Sequence, residues 1–276
     1  MDVRARIYSY YPSLTKSEQK VADAVLERNV DLIYHSVTEL SEFAEVGETT
    51  IMRFCRKIGF KGYQDFKLAL AQDKAYQNPD QPDSGNGEEE TARGVYRHAV
   101  QALDTCLSLL DKDRLQKAVD LIDAAGHVQF FGVGASGITA LDAKNRFMRI
   151  GRRAEAVADS HMQMMAAMSM RPGDVAVGFS VSGSTLDTND MLAKAKQSGA
   201  SVIAITNFAK SPITGVADVV LLTAGKESPL EGGSMAAKIA QLFVLDLLCQ
   251  GLAEKRPEWT KEMKERTAKA VIERIY

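Results

Sequence analysis

The sequence predicts two domains, an all-α domain at the N-terminus followed by an α/β domain with a doubly wound, five-stranded parallel sheet. Three observations along the 276 residues favour this fold class. Residues 1–77 show only helical periodicity, residues 78–90 are strongly polar, and strand-like runs then alternate with helical runs. Such alternation is typical of a parallel sheet, because two parallel strands must be joined by a crossover that is usually a helix.

Two capping boxes organise the N-terminal domain, which we predict over residues 1–77. In Thr15–Glu18 and again in Ser36–Glu39, the hydroxyl can accept from the backbone N–H three residues on while the glutamate reaches back. The segment Val46–Glu48 then interrupts the helical pattern. We expect Gly47 to adopt the positive φ that a tight turn between two helices requires.

The next helix, ETTIMRFCRKIGF, has apolar residues at the i, i+3, i+4 and i+7 spacing of a buried helix face. This spacing predicts that Ile51, Phe54, Cys55 and Ile58 are buried. Two helices joined by a short turn, the second with a basic outer face, describe a helix-turn-helix that binds operator DNA. The candidate DNA-binding residues are Thr49, Thr50, Arg53, Arg56, Lys57 and Lys61, with Gln64 and Lys67 within reach of a neighbouring phosphate.

The charge distribution places the basic face on this helix. Residues 1–77 carry 11 basic and 11 acidic side chains, whereas residues 48–67 carry five basic and two acidic ones. Positive charge is needed where a protein meets DNA phosphates. The alternative is an ordinary amphipathic helix with a basic solvated face; the caps, the turn and the IGFKGYQDFKLAL segment favour DNA recognition.

A polar segment, NPDQPDSGNGEEE from Asn78 to Glu90, separates the two domains. It holds two prolines, two glycines and five acidic residues, and it has no aliphatic side chain to bury. That composition predicts a solvated linker. We assign residues 91–255 to the α/β domain and residues 256–276 to a C-terminal helix, packed on its own domain or on a sister subunit.

Five short apolar runs in the second domain predict the strands of the sheet. Helices are expected between them, notably over residues 137–149 and 185–198, and a doubly wound sheet binds ligands at the carboxyl ends of its strands. The predicted strands are His127–Phe131, Ala154–Val157, Asp174–Phe179, Ser201–Thr206 and Val219–Leu222.

Two loops at these strand ends have the composition of phosphate-binding sites. The first, FFGVGASG, matches the G-x-G-x-x-G fingerprint of dinucleotide-binding folds, with Glu155 or Asp159 available for a ribose. The second, SVSGST, offers four hydroxyls and a glycine before a helix N-terminus, which suits an anion; a plain helix cap is the alternative. Two such loops favour one compact monophosphate ligand over a dinucleotide, so we expect no cofactor.

Composition excludes several other classes of protein. The three cysteines, Cys55, Cys106 and Cys249, are far apart, which argues against a disulfide framework and a metal site. The formal net charge is −2, so DNA binding depends on the local basic face. The N-terminus lacks an apolar signal region, and no run of about 18 apolar residues occurs. We therefore expect a cytoplasmic protein that does not enter a membrane.

Over nearly its whole length the chain resembles the RpiR family of bacterial transcription regulators, which join a helix-turn-helix to a SIS (sugar isomerase) domain. The similarity is carried by LTKSEQKVADAVLE, ELSEFAEVGETTIMRFCRKIGFKGYQDFKLAL, FFGVGASG, GFSVSGSTLDT, AKQSGASVIAITNFAKSPI and AQLFVLDLL. The resemblance implies a flavodoxin-like SIS domain that senses a phosphosugar, in a homodimer or homotetramer. It implies phosphate contacts from Ser180, Ser182 and Thr185, with Ser136 facing the sugar. The candidate effector-binding set is Gly134, Ser136, Ser180, Ser182, Gly183, Ser184, Thr185 and Lys238.

Two departures from the family pattern affect the effector pocket. Family members often have a Ser-Arg pair before the IAQL motif, whereas this chain has Ala237 and Lys238, and the loop GKESPLEGGSM is unusually rich in glycine and acid. A lysine replaces a planar, bidentate guanidinium with a point charge. The identity of the sugar therefore stays open.

The alternative function is an aldose–ketose isomerase with an accessory helical domain, because SIS folds also serve such enzymes. That reaction needs a placed base, and Glu227, Glu231 and His161 are candidates by loop position only. The attached DNA-binding domain favours a regulator, since an isomerase does not need one. We therefore predict that the chain is not an enzyme.

Overall fold

The computed structural model describes residues 3–27, 32–77, 88–225 and 233–272. These residues divide into two compact units: residues 3–98 with residues 233–234 form the first, and residues 99–225 with residues 235–272 form the second. The predicted linker, Asn78 to Glu90, lies largely outside the described residues. Its last three residues, Glu88–Glu90, form the first turn of a helix that continues to Ser108.

In its described residues the helical unit contains five complete α-helices, two short 3₁₀ turns and the first half of a sixth helix. Its single core includes Ile51, Phe54, Cys55 and Ile58, all fully buried as the helical spacing predicts. Phe66 joins them through an edge-to-face contact with Phe54, at 5.9 Å between ring centroids. The helices are α1 (Val3–Tyr10), α2 (Lys16–Glu27), α3 (Val37–Phe43), α4 (Glu48–Lys57) and α5 (Tyr63–Gln77).

Both predicted capping boxes are present. The N–H of Thr15 donates to the Glu18 carboxylate at 2.8 Å, and the N–H of Glu18 donates to the Thr15 hydroxyl at 3.4 Å. Ser36 and Glu39 make the same reciprocal pair at 2.8 and 3.0 Å. Each box satisfies two backbone groups that the start of a helix leaves without partners.

The expectation that Gly47 would take the positive φ in the turn is wrong. Gly47 has φ −76° and is the N-cap of α4, whereas Glu45 has φ +51°. The reason is that α3 ends in a Schellman motif: the N–H of Val46 donates to the carbonyl of Ser41, and the N–H of Glu45 donates to that of Glu42. That motif puts the left-handed residue two positions before the glycine.

The second unit is a five-stranded parallel sheet with helices on both faces, as predicted. Its strand order is β2-β1-β3-β4-β5, and all four pairings are parallel. Every predicted strand is present, with ends that differ by at most one residue. The strands are β1 (Val128–Phe131), β2 (Ala154–Ala156), β3 (Val175–Phe179), β4 (Ser201–Thr206) and β5 (Val219–Leu222).

Alternate residues of each strand point to opposite faces, so the sheet supports two cores. Phe130 and Phe179 face one core, which α7, α8 and α12 cover, while Phe131 faces the other, which α9, α10 and α11 cover. The helices from the linker onward are α6 (Glu88–Ser108), α7 (Lys112–Ala124), α8 (Ala135–Arg149), α9 (Ser160–Ser169), α10 (Leu186–Gln197), α11 (Pro212–Val216), α12 (Met235–Lys255) and α13 (Pro257–Ile272).

Helix α12 is long and apolar enough to cross a membrane by length and composition. Val244, Leu245 and Leu248 on this helix are instead buried in the core beneath the sheet. We therefore interpret α12 as a core helix of the second unit. The terminal helix α13 packs on its own unit: Met263 lies close to Gly151, while Val271 and Ile272 are exposed.

Candidate functional site

Two neighbouring loops meet where the strand order of the sheet reverses. Strands β1 and β3 are adjacent, with Phe131 opposite Gly178, so the segments that follow them leave the same edge side by side. We call Gly132–Gly137 the glycine loop and Ser180–Thr185 the serine loop. In open α/β sheets this reversal point is where ligands bind.

Backbone packing fixes the glycine loop. A Cβ on Gly132 would lie 2.7 Å from the carbonyl oxygen of Ser136, so only glycine allows the strand to turn directly into α8. Gly134 has φ +58° and precedes the first residue of that helix. The buried amide of Gln163, on α9, accepts from the N–H of Gly132 at 3.3 Å and donates to its carbonyl at 3.1 Å.

A polar chain runs across the first turn of α8 beside this loop. The amide of Gln241 donates to the Ser136 hydroxyl at 3.2 Å and accepts from the Thr139 hydroxyl at 2.9 Å. The Nζ of Lys238 donates to the Thr139 hydroxyl at 3.0 Å and to the carbonyl of Ala135. Partial burial lowers the pKa of Lys238, against the opposite effect of Asp142. Its two hydrogen-bond acceptors are uncharged.

The serine loop presents paired hydroxyls. Ser180 Oγ and Thr185 Oγ1 lie 3.1 Å apart, and Ser182 Oγ accepts from the N–H of Ser184 at 3.2 Å. Ser180 is buried, whereas Ser182, Ser184 and Thr185 are partly exposed. Gly183 has φ +62°, and a Cβ there would lie 2.1 Å from Ser211 Oγ. This position therefore requires glycine for both its conformation and its space.

Two backbone carbonyls of the serine loop accept hydrogen bonds from residues outside the loop. The Val181 carbonyl accepts from the N–H of Asn207 at 3.1 Å and from the Thr206 hydroxyl at 3.3 Å. The Gly183 carbonyl accepts from the N–H of Ile213 at 2.9 Å and from the Asn189 amide at 3.3 Å. These two carbonyls are thus occupied from outside the loop, whereas the loop's hydroxyls bond within the loop, including Ser184 Oγ, which donates to the Ser182 carbonyl at 3.2 Å. Hydroxyls bonded to one another can turn their donors toward an anion.

In the described part of the chain, two buried polar atoms without hydrogen-bond partners lie in the first turn of α10, directly after the serine loop. The buried Thr188 Oγ1 and Asn189 Oδ1 have no hydrogen-bond partner among the described residues. Leaving buried polar atoms without partners is costly, so a group that bonds them in the ligand-bound protein would relieve that cost.

The residues that would bind a ribose or act as the base of an isomerase are less well placed than the two loops. Glu155 and Asp159 are exposed, and Asp159 is the N-cap of α9, where it accepts from the N–H of Met162 at 2.9 Å. His161 is exposed on the same helix. The other two candidate bases, Glu227 and Glu231, lie outside the described residues.

In the helical unit, α4 presents Thr49, Arg53 and Arg56 to solvent, and Lys61 is exposed in the turn that follows. Thr50 is 7% exposed, and its hydroxyl accepts from the Arg53 guanidinium at 3.4 Å. These exposed side chains follow one another along a single face of the helix.

Lys57 takes part in a structural ion pair. Its Nζ lies 2.9 Å from the carboxylate of Glu18 and 2.5 Å from the carbonyl of Ser13. Burial acts to raise the pKa of Glu18, but hydrogen bonds from Thr15 and Lys57 outweigh it, so the pKa lies below its ordinary value. This contact fixes the end of α4 against the start of α2.

The expectation that Lys67 would reach a neighbouring phosphate is wrong. Lys67 is 5% exposed, and its Nζ donates to the carbonyl of His35 at 2.8 Å, over the ring of Tyr63. The α5 register places Lys67 beside Phe66 and Leu70 on the inward side of the helix. A long side chain there can satisfy a backbone carbonyl inside the unit, and it cannot extend into solvent.

Sequence reasoning missed four residues with side-chain amides that hold the two loops or their neighbours, Gln163, Asn189, Asn207 and Gln241. Two of them carried a usable signal. Gln163 interrupts the apolar run HMQMMAAMSM, and Gln241 interrupts AQLFVLDLL. A polar residue that helical spacing places on a buried face must find a partner inside the protein.

Both units match known families. The helix-turn-helix domain of the rpiR family matches residues 1–77, and the SIS domain matches residues 120–250. An uncharacterized HTH-type transcriptional regulator of Haemophilus influenzae is 38% identical over 99% of this chain and 97% of its own length. The HTH-type transcriptional regulator HexR of Pseudomonas aeruginosa is 34% identical over 91% of this chain and 89% of its own. These relatives are transcriptional regulators, not enzymes.

Solved structures give the same relationship. The Vibrio vulnificus NanR protein complexed with ManNAc-6P has a TM-score of 0.90 to this chain and 31% identity, covering 99% of both chains. A phosphoheptose isomerase from Francisella tularensis has a TM-score of 0.52 and 14% identity, covering 61% of this chain and 99% of its own. The second likeness shows a shared fold and nothing about activity.

We predict that Lys67 makes the stability of the helical unit depend on pH. Burial lowers the pKa of Lys67 to about 8, against the effect of Glu39, from 10.5 in an exposed lysine. Between these values the unfolded chain holds a proton that the folded chain lacks, so folding is favoured as the pH rises. The free energy of unfolding of the wild type, relative to Lys67→Met, should increase from about pH 8 to 10.5 in urea denaturation. A difference that stays constant over this range would contradict the assignment.

Proposed function

The chain belongs to the RpiR family of helix-turn-helix transcriptional regulators with a SIS domain, and on that premise we propose that it is a cytoplasmic regulator of carbohydrate metabolism whose SIS domain binds a phosphosugar. The observation that carries the proposal is the pair of adjacent loops at the reversal point of the sheet. One loop is rich in hydroxyls, and both lead into helix N-termini.

In this proposal the serine loop holds the phosphate. Ser180, Ser182 and Thr185 donate their hydroxyls to phosphate oxygens, and Gly183 and Ser184 provide the turn that brings them together. The N-terminus of α10 adds its dipole, which favours an anion. Phosphate binding therefore replaces the hydroxyl pair of Ser180 and Thr185, 3.1 Å apart, with stronger charge-assisted hydrogen bonds.

The glycine loop and Lys238 face the sugar. Gly134 allows the close approach of the backbone, and Ser136, oriented by Gln241, meets a sugar hydroxyl. Lys238 brings a positive charge to the same side, where the family often has arginine. The ammonium group of Lys238 has three N–H donors, and its two acceptors here are a carbonyl and a hydroxyl. An oxygen of the ligand can therefore accept the third hydrogen bond.

Operator DNA is contacted by α4 and the turn after it. Thr49, Arg53 and Arg56 lie along the exposed face and read the major groove, while Lys61 contacts a phosphate. Thr50 orients the guanidinium of Arg53. Lys57 supports the helix through Glu18 and adds positive charge near the backbone of the DNA. Paired half-sites require at least a homodimer, and a homotetramer is compatible with them.

A thermal-shift screen tests the effector site. The panel contains ManNAc-6P and other sugar phosphates, the same sugars without phosphate, and NAD(P). A ligand at 100 times its dissociation constant adds about 2.7 kcal/mol of stability. We expect at least one sugar phosphate to raise the melting temperature, with no effect of its parent sugar. A response to NAD(P) alone would mean that the glycine loop is a dinucleotide site.

Substitutions then locate the phosphate. Ser180→Ala and Thr185→Val should each weaken binding of the active sugar phosphate by roughly 10- to 100-fold, the cost of about 1.5–3 kcal/mol for a hydrogen bond to a charged group. Ser169→Ala, an exposed serine on α9, is the matched control and should bind as the wild type does. If both loop variants keep wild-type affinity in calorimetry, the phosphate is bound elsewhere.

DNA binding is tested with an operator selected in vitro by the wild-type protein. Arg53→Ala and Arg56→Ala should each weaken binding by about 1–3 kcal/mol if the arginine reads a base edge, and Lys61→Ala should reduce the salt slope by about one. Arg171→Ala, an exposed arginine of the SIS domain, controls for the loss of one charge. Unchanged anisotropy titrations for both α4 variants would exclude this helix as the one that reads DNA.

A further inference from the structure

We infer that Asn207 is a positioning residue that couples the serine loop to helix α6, the helix that spans the boundary between the two units. The inference rests on the proposed function, because it assigns a route by which a bound phosphate changes residues outside its own site. Coupling between separated parts of a protein can be carried by a connected set of hydrogen bonds and packed side chains. The hydrogen bonds around Asn207 provide one.

Asn207 joins three segments of the SIS domain. Its backbone N–H donates to the Val181 carbonyl of the serine loop at 3.1 Å. Its side chain reaches the end of β5, where Oδ1 accepts from the Thr223 hydroxyl at 2.5 Å and Nδ2 donates to the Gly225 carbonyl at 2.8 Å. Both ends of the amide are therefore used, which fixes its orientation.

The two side-chain contacts fall on either side of Ala224, and Ala224 contacts α6. Its N–H donates to the Sγ of Cys106 at 3.0 Å. Cys106 is fully buried on α6, where it packs in a small apolar cluster with Ala224 and Ala240. By holding Thr223 and Gly225, Asn207 sets the direction of the Ala224 N–H that donates to Cys106.

Helix α6 continues from Cys106 toward the first unit. It runs from Glu88 to Ser108, and the two compact units divide after His98, within the helix. Phosphate oxygens compete for the Ser180 and Thr185 hydroxyls, so the bound and free serine loops differ next to Val181. Asn207 links that change to the strand end and to α6.

Hydrogen exchange on the full chain tests the inference. Exchange of the α6 amides around Cys106 is followed by mass spectrometry with and without saturating ManNAc-6P, or inorganic phosphate if that sugar phosphate does not bind. Binding itself is measured separately by calorimetry for each protein. The variants are Asn207→Ala, Thr223→Val, which removes one hydroxyl, and Asn145→Ala, the same substitution at an exposed asparagine on α8.

In the wild type and in Asn145→Ala, the ligand should slow exchange around Cys106 by about fivefold or more, the lower end of ordinary coupling. In Asn207→Ala the ligand should still bind, because the backbone N–H to Val181 is retained, but the slowing should be lost. Thr223→Val should lose a large part of it. If Asn207 only supported the fold, its substitution would change the exchange rates equally with and without ligand.

Either of two results would overturn the inference and leave the proposed function standing. In the first, the wild type binds the ligand with no change in α6. In the second, both Asn207→Ala and Thr223→Val keep the full ligand-dependent slowing. If neither ManNAc-6P nor inorganic phosphate binds the wild type, the proposed function fails, and the inference fails with it.

Discussion

The reversal of strand order between β1 and β3 is the constraint on which the rest of the SIS domain depends. Because β1 connects to one side of the sheet and β3 begins the other, their following loops leave the same edge as neighbours. Neither loop can then contain a side chain at its tightest point, since Gly132 packs on the backbone of α8 and Gly183 packs on Ser211. The position of the crevice thus follows from the strand topology. Its polarity follows from the serine and threonine side chains next to the glycines.

In the proposed function the domain binds an anion without a basic residue in either loop. The donors are instead hydroxyls, backbone N–H groups and two helix N-termini. Gln163 occupies the Gly132 carbonyl, and backbone N–H groups, Thr206 and Asn189 occupy two carbonyls of the serine loop. Lys238 is the charged exception among the candidate effector-binding residues, and it lies beside the glycine loop rather than the serine loop. This separation fits a division of roles, with phosphate recognised by neutral donors and the sugar selected by the lysine.

Local patterns predicted most of the fold, because apolar spacing, caps and short buried strands depend on neighbouring residues. All five strands and both capping boxes were predicted, and the structure has them. The errors concern choices that tertiary contacts decide. The left-handed residue lies at Glu45 rather than Gly47 because a Schellman motif ends α3, and Lys67 is buried because of what packs around α5. Asn207 joins the serine loop to the end of β5 across long sequence separations, so spacing alone could not reveal it. Asn189 bonds a carbonyl only six residues before it, but nothing in the local pattern marks that contact.

A transcriptional regulator that senses a phosphosugar must couple phosphosugar binding to operator binding within one molecule. The most direct test is the dissociation constant of the active sugar phosphate, measured with and without saturating operator DNA. Coupling is reciprocal, so the constant should change by the same factor by which that sugar phosphate changes operator affinity, typically about 5- to 150-fold. Equal constants with and without operator would contradict the account, because the two sites would then bind independently.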